Sequence, residues 1–220
     1  MGAMTTMRTD RVACGDAGEM NLFTWVPDAP PRAAVLLVQE IFGVGPYIRA
    51  VAERLADAGY LVGAPDVFWR FAPNWAAGHD QTGLTESMGM VQQLDFPVAV
   101  GDCINALAHL AAQPGIESAP AVMGFCLGGT LAWAIAANAN PSVCVSYYGS
   151  GVPSMLGMMD QVQCPTLFVL GSADQMTPPK AAQSLIAQAK NARVVQLPAG
   201  HSLMTEAPDG VLQALNDFLK

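Results

Sequence analysis

Gly124-Phe125-Cys126-Leu127-Gly128-Gly129 is the stretch of this sequence best suited to covalent chemistry. It follows the short apolar run Ala121–Phe125, which reads as a buried strand, and opens the small-residue run Leu127–Asn138, which reads as a helix. Strand, tight turn and helix make the G-x-S-x-G nucleophile elbow with sulfur in place of oxygen. The turn is sharp, and side chains flanking the nucleophile would meet neighbouring backbone, so Gly124 and Gly128 carry none. The helix aims its first N–H groups and positive end at Cys126, which favours thiolate over thiol. A buried structural cysteine in a tight turn is the plainer alternative.

A nucleophile of this kind needs a base and an acid, and in this arrangement both come later in the chain, acid before histidine. The run Thr166–Leu170 reads as a buried strand, and Asp174 follows it before Pro178 and Pro179 open a helix. Asp174 suits the acid; a helix cap or turn aspartate is the other reading. Arg193–Leu197 reads as a further strand, with His201 in the loop before the last helix. The other two histidines are His79, in an irregular stretch, and His109, expected on a helix surface. His201 alone has a rigid scaffold on both sides, so it is the expected base.

Glu40 is a less expected acid. It stands at the carboxyl end of the buried run Ala33–Val38, in Gln39-Glu40-Ile41-Phe42-Gly43. In serine hydrolases this loop supplies one N–H of the oxyanion hole. Here the N–H groups of Ile41 and Leu127 are the expected pair of donors. A buried carboxylate beside a thiol could hold the thiol proton until substrate arrives. A surface carboxylate, or one paired with Arg49, is the alternative.

These loops need strands and helices to hold them. Apolar runs at Ala33–Val38, Leu61–Ala64, Ala121–Phe125, Val143–Tyr148, Thr166–Leu170 and Arg193–Leu197 alternate with helical patterns at 46–58, 97–112, 127–138, 178–190 and 208–220. Ile48, Val51, Ala52 and Leu55 form one helical face. Ile104, Leu107, Ala108 and Ala111 form another, and Val211, Leu212, Leu215, Phe218 and Leu219 a third. The alternation predicts βαβ units: an α/β chain with a mostly parallel sheet covered by helices on both faces. Such sheets place ligands at the carboxyl ends of their strands. Residues 66–96 resist the pattern; with Phe68, Trp69, Phe71 and Trp75 they read as a pocket wall or lid, or as a cluster that merely covers the sheet.

Composition narrows the setting. The chain has 220 residues, 52% hydrophobic and 13% charged, with a net charge of −8. That suits one well-filled globular domain and argues against binding to nucleic-acid backbones. Five cysteines without metal-like spacing argue against a disulfide framework and for a reducing, cytoplasmic setting. The charged first thirty residues show no apolar core suited to a signal peptide, and no apolar run approaches the ~20 residues of a membrane span. Met4 reads as the natural start, with Gly2 and Ala3 as a cloning remnant.

Gln39–Gly43, Pro65-Asp66, Gly124–Gly129, Tyr147-Tyr148-Gly149, Gly171–Asp174 and Gly200-His201-Ser202 together resemble the dienelactone hydrolase (carboxymethylenebutenolidase) family. The resemblance runs from about residue 35 to the C-terminus. It implies the α/β-hydrolase fold, a mostly parallel twisted sheet with helices on both faces, over a single domain. It implies a Cys126–Asp174–His201 triad that hydrolyses a lactone or activated ester through a thioester. It also implies that Glu40 pairs with the Cys126 thiol at rest and that Phe42, Tyr147 and Ser202 lie near the substrate. No metal or organic cofactor is expected, and family members are usually monomers. A carboxylesterase or thioesterase on the same triad, or a non-catalytic ligand-binding protein, are the alternatives.

The sequence departs from the family where substrate charge is read. Characterised members bind a substrate carboxylate with arginines, one before the helix at 97–112 and one after the catalytic histidine. Here neither Gln81–Asp95 nor Ser202–Glu206 contains Arg or Lys. Arg70 is the nearest candidate for that role. Met88, Met90 and Met204 suggest an apolar pocket instead. A neutral ester or lactone is therefore the expected substrate.

Overall fold

Two strands precede the first apolar run. In the computed structural model, which describes residues 5–188 and 191–218, Thr6–Ala13 (β1) and Glu19–Val26 (β2) pair antiparallel. The expected strands then follow: Ala34–Val38 (β3) and Leu61–Pro65 (β4), every residue buried. Between them Pro46–Asp57 (α1) starts on Pro46 and buries Ile48, Ala52 and Ala56. Gln81–Gln93 (α2) and Phe96–Ala111 (α3) come next. The chain then runs Ala121–Phe125 (β5), Leu127–Asn138 (α4), Cys144–Tyr147 (β6), Thr166–Gly171 (β7), Pro179–Gln188 (α5), Ala192–Leu197 (β8), Leu203–Glu206 (α6) and Pro208–Phe218 (α7).

The chain forms two units, one up to Val122 and one from Met123. In the first the strand order is β1-β2-β4-β3. β2 pairs antiparallel with β4, and β3 parallel with β4. α1 packs on β2 and β4, and α3 on β1, β3 and β4. In the second the order is β5-β6-β7-β8, with β7 parallel to both neighbours. There α4 packs on β6, and α7 on β7 and β8. Eight strands in a mostly parallel arrangement with covering helices are the expected fold class.

Two expectations are corrected, and two strands appear where none was expected. The stretch 66–96 is not irregular throughout, because α2 occupies 81–93. Asp80 caps it, its carboxylate accepting the Gly83 N–H at 2.8 Å. The face that α2 buries is Gly83 and Ser87, while Leu84 and Met88 are exposed, so it carries no apolar stripe to read. On α3 the buried face is Ala99, Val100, Cys103, Ala106, Leu107 and Leu110. Leu107 belongs to it; Ala108 and Ala111 point outward. β1 and β2 escape notice because β1 is a mostly exposed edge strand carrying Arg8, Asp10 and Arg11, residues that discourage edge pairing. Expectations for Lys190, Leu219 and Lys220, for the side chains of Met204 and Leu212, and for Met4 as the start lie outside the described residues.

Candidate active site

β5 delivers the chain to Cys126 at φ 53°, ψ −113°, a left-handed backbone that non-glycine residues rarely adopt. The turn is held by the Cys126 N–H, which donates to the Tyr147 carbonyl at 3.0 Å. A Cβ on Gly124 would stand 2.0 Å from the Gly128 carbonyl oxygen, so the turn closes only over glycine. Strain of this kind, held by surrounding structure, is a mark of functional turns. Leu127 is the first residue of α4. N–H groups in a first helical turn have no partner within the helix and can point at an anion.

The structure brings Cys126, His201 and Asp174 together. Cys126 Sγ is 3.2 Å from His201 Nε2, and His201 Nδ1 is 2.8 Å from Asp174 Oδ2. Asp174 is 1% exposed. Its other oxygen accepts the N–H groups of Met176 (2.8 Å) and Thr177 (3.1 Å), which fixes the carboxylate. The loops at the ends of β7 and β8 are tied to each other: Ser172 N–H donates to the Leu197 carbonyl and Ala173 N–H to that of Ala199. One more tie precedes the histidine. Glu206, from α6, accepts the Gly200 N–H at 2.7 Å. Glu206 thus positions the histidine loop.

The aromatic residue against His201 is Tyr148, edge-on at 4.8 Å between ring centroids. Tyr147, the residue implied by resemblance, is buried and stacks on Phe125 at 4.7 Å. Successive side chains at a strand end point opposite ways, which separates these neighbours. Ser202 is exposed and begins α6, its carbonyl accepting from Thr205 and Glu206.

In the first unit Glu40 is 7% exposed and hydrogen-bonded to Nε2 of His79. Phe42 lies against that imidazole, with ring centroids 4.2 Å apart. Arg49 donates to the Val44 carbonyl at 3.0 Å and lies over the Phe23 ring. Ile41 is buried in the same loop. Arg70 is held by Asp102 through two N–H donors at 2.8 Å and rests on Trp69, whose indole N–H donates to the same carboxylate at 2.9 Å. His109 is half-buried rather than a surface residue, with Nε2 bonded to Gln113 at 3.0 Å. Among the described residues no group of three or more His, Cys, Asp or Glu side chains is placed to hold a metal ion.

A strand–elbow–helix carrying a cysteine, with an acid after one later strand and a histidine after the next, is the layout of the α/β-hydrolase fold. The model of the dienelactone hydrolase family matches residues 20–215, and the chain belongs to that family, whose members hydrolyse ester bonds. It is similar to carboxymethylenebutenolidase 1 of Cupriavidus pinatubonensis, at 29% identity over 201 residues, covering 90% of this chain and 86% of that one. It is 32% identical over 158 residues to carboxymethylenebutenolidase of Pseudomonas putida, covering 71% of this chain and 67% of that one. Among solved structures it resembles a dienelactone hydrolase-like promiscuous phosphotriesterase from metagenomic libraries, with a TM-score of 0.79, 22% identity and 97% coverage of each chain. No helix in the described residues is long and apolar enough to cross a membrane.

Proposed function

We propose that this hydrolase opens a neutral lactone or activated ester through Cys126, His201 and Asp174. The observation that carries the reading is the file of atoms from Cys126 Sγ to His201 Nε2 (3.2 Å) and from Nδ1 to Asp174 Oδ2 (2.8 Å), set on a strained elbow. The thiol proton passes to Nε2, and the thiolate attacks the substrate carbonyl. The oxyanion is met by the Leu127 N–H at the start of α4. The tetrahedral intermediate collapses to a thioester as the imidazolium gives its proton to the leaving oxygen. His201 then takes a proton from water, hydroxide attacks the thioester, and the departing sulfur regains its proton. Asp174 keeps the imidazole in one tautomer throughout.

Three further assignments rest on the family resemblance. Glu40 pairs, as an accepting carboxylate, with the Cys126 thiol at rest, the Ile41 N–H is the second oxyanion donor, and Phe42 and Ser202 lie near the substrate. The resemblance also places Tyr147 there, and Tyr148, which touches the imidazole, is added beside it. Neutral substrates are favoured because the guanidinium of Arg70 already serves Asp102. The five free thiols support a reducing, cytoplasmic setting.

The test is hydrolysis of a panel of neutral enol lactones, aryl esters and acyl thioesters by wild type and Cys126→Ala. The reading requires turnover of the lactones or aryl esters that vanishes in the variant while the fold is kept. A Cys126→Ala protein of undiminished activity removes the mechanism.

A further inference from the structure

His79 stands in a segment pinned from two sides. Upstream, Gly43 bridges Ala76, and the Ala77 N–H donates to the Phe42 carbonyl at 3.0 Å. Downstream, Asp80 caps α2 through the Gly83 N–H at 2.8 Å. The ring is held as well, tilted against Phe42 (centroids 4.2 Å apart) and edge-on to Tyr47 (5.9 Å). This framing aims Nε2 at Oε1 of Glu40. An ionised carboxylate only accepts, so the imidazole donates. The Asp80 carboxylate is turned away to its cap, which leaves Glu40 as the carboxylate that the ring serves.

Packing alone does not ask for histidine here. A phenyl ring would fill the space between Phe42 and Tyr47, and the side chain of His79 is 49% exposed, so no core depends on it. What imidazole adds is one N–H for a carboxylate that is 7% exposed, where a misplaced charge is costly. We infer that His79 is a positioning residue that acts through Glu40, fixing the orientation of its carboxylate for the reaction. This rests on the role given to Glu40 above.

The test is a double-mutant cycle on kcat/KM for p-nitrophenyl acetate, with folding checked by near-UV circular dichroism and Tm. His79→Phe keeps the ring contacts and removes the donor. It should lower kcat/KM about tenfold, the scale of one hydrogen bond to a charged group. His79→Gln, which returns an N–H near Nε2, should recover most of that loss. In a Glu40→Gln background His79→Phe should change kcat/KM by less than about twofold, because the group it serves is gone. Equal losses in both backgrounds, or no recovery by His79→Gln, overturn the inference. Should His79→Phe fail to fold, His79→Leu takes its place in the cycle. If Glu40→Gln alone is fully active, the role of Glu40 falls and this inference with it. If Glu40→Gln is impaired and His79→Phe is not, only His79 loses its assignment.

Discussion

All five cysteines are buried, so it is its surroundings that set Cys126 apart. Burial pushes the thiols of Cys14, Cys103, Cys144 and Cys164 up from their ordinary value, and the Asp102 carboxylate adds to the effect at Cys14 and Cys103. Such thiols stay protonated at neutral pH and react slowly. Cys126 alone has an imidazole 3.2 Å away and a helix start beneath it. Iodoacetamide should therefore place one label on the folded protein, on Cys126, and an ester substrate should slow it. Labelling spread over several cysteines would contradict this. At the same scale, His201→Asn should lower kcat by at least ~10³-fold, as loss of a triad base does. His109→Asn should stay within about twofold, since its ring serves Gln113 and Asp10 on another surface. Comparable losses in the two variants would move the base away from His201.

At the scale of elements, legibility followed the apolar pattern. β5 and α4 were legible to the residue, because a wholly apolar strand and a small-residue helix meet at a glycine-flanked cysteine. α2 was not, since it buries glycine and serine and turns Leu84 and Met88 to solvent. Cys126, Asp174 and His201 were legible because each follows a readable strand. The link from Glu40 to His79 was not, because His79 lies in a segment with no period and is placed by backbone contacts to the Phe42 loop. Arg70 shows the same limit. The sequence offers it as the nearest cation for a substrate carboxylate, but Asp102, on α3, faces it. Arg70→Ala leaves a buried carboxylate without its guanidinium, and should lower stability by about 2 kcal/mol. Its kcat/KM for a neutral ester should change by less than about twofold. A large loss of activity at unchanged Tm would return Arg70 to the substrate.

Across the whole molecule, acids outnumber bases 18 to 10. Several of the arginines are engaged locally: Arg8 with Asp10, Arg11 with Glu19, Arg70 with Asp102, and Arg49 with the Val44 carbonyl. A substrate carboxylate taken from water needs a cationic partner of its own. The methyl ester of a dienelactone acid should accordingly show a higher kcat/KM than the acid. The opposite preference, abolished by Arg70→Ala, would contradict this reading. The central claim is that sulfur carries the acyl group, and it is tested most directly by rapid acid quench of wild-type enzyme turning over p-nitrophenyl acetate, followed by peptide mass spectrometry. The account predicts a single acetyl adduct on the peptide containing Cys126, lost on treatment with hydroxylamine. An adduct on a serine or another cysteine, or steady turnover with no adduct at any quench time, would contradict it.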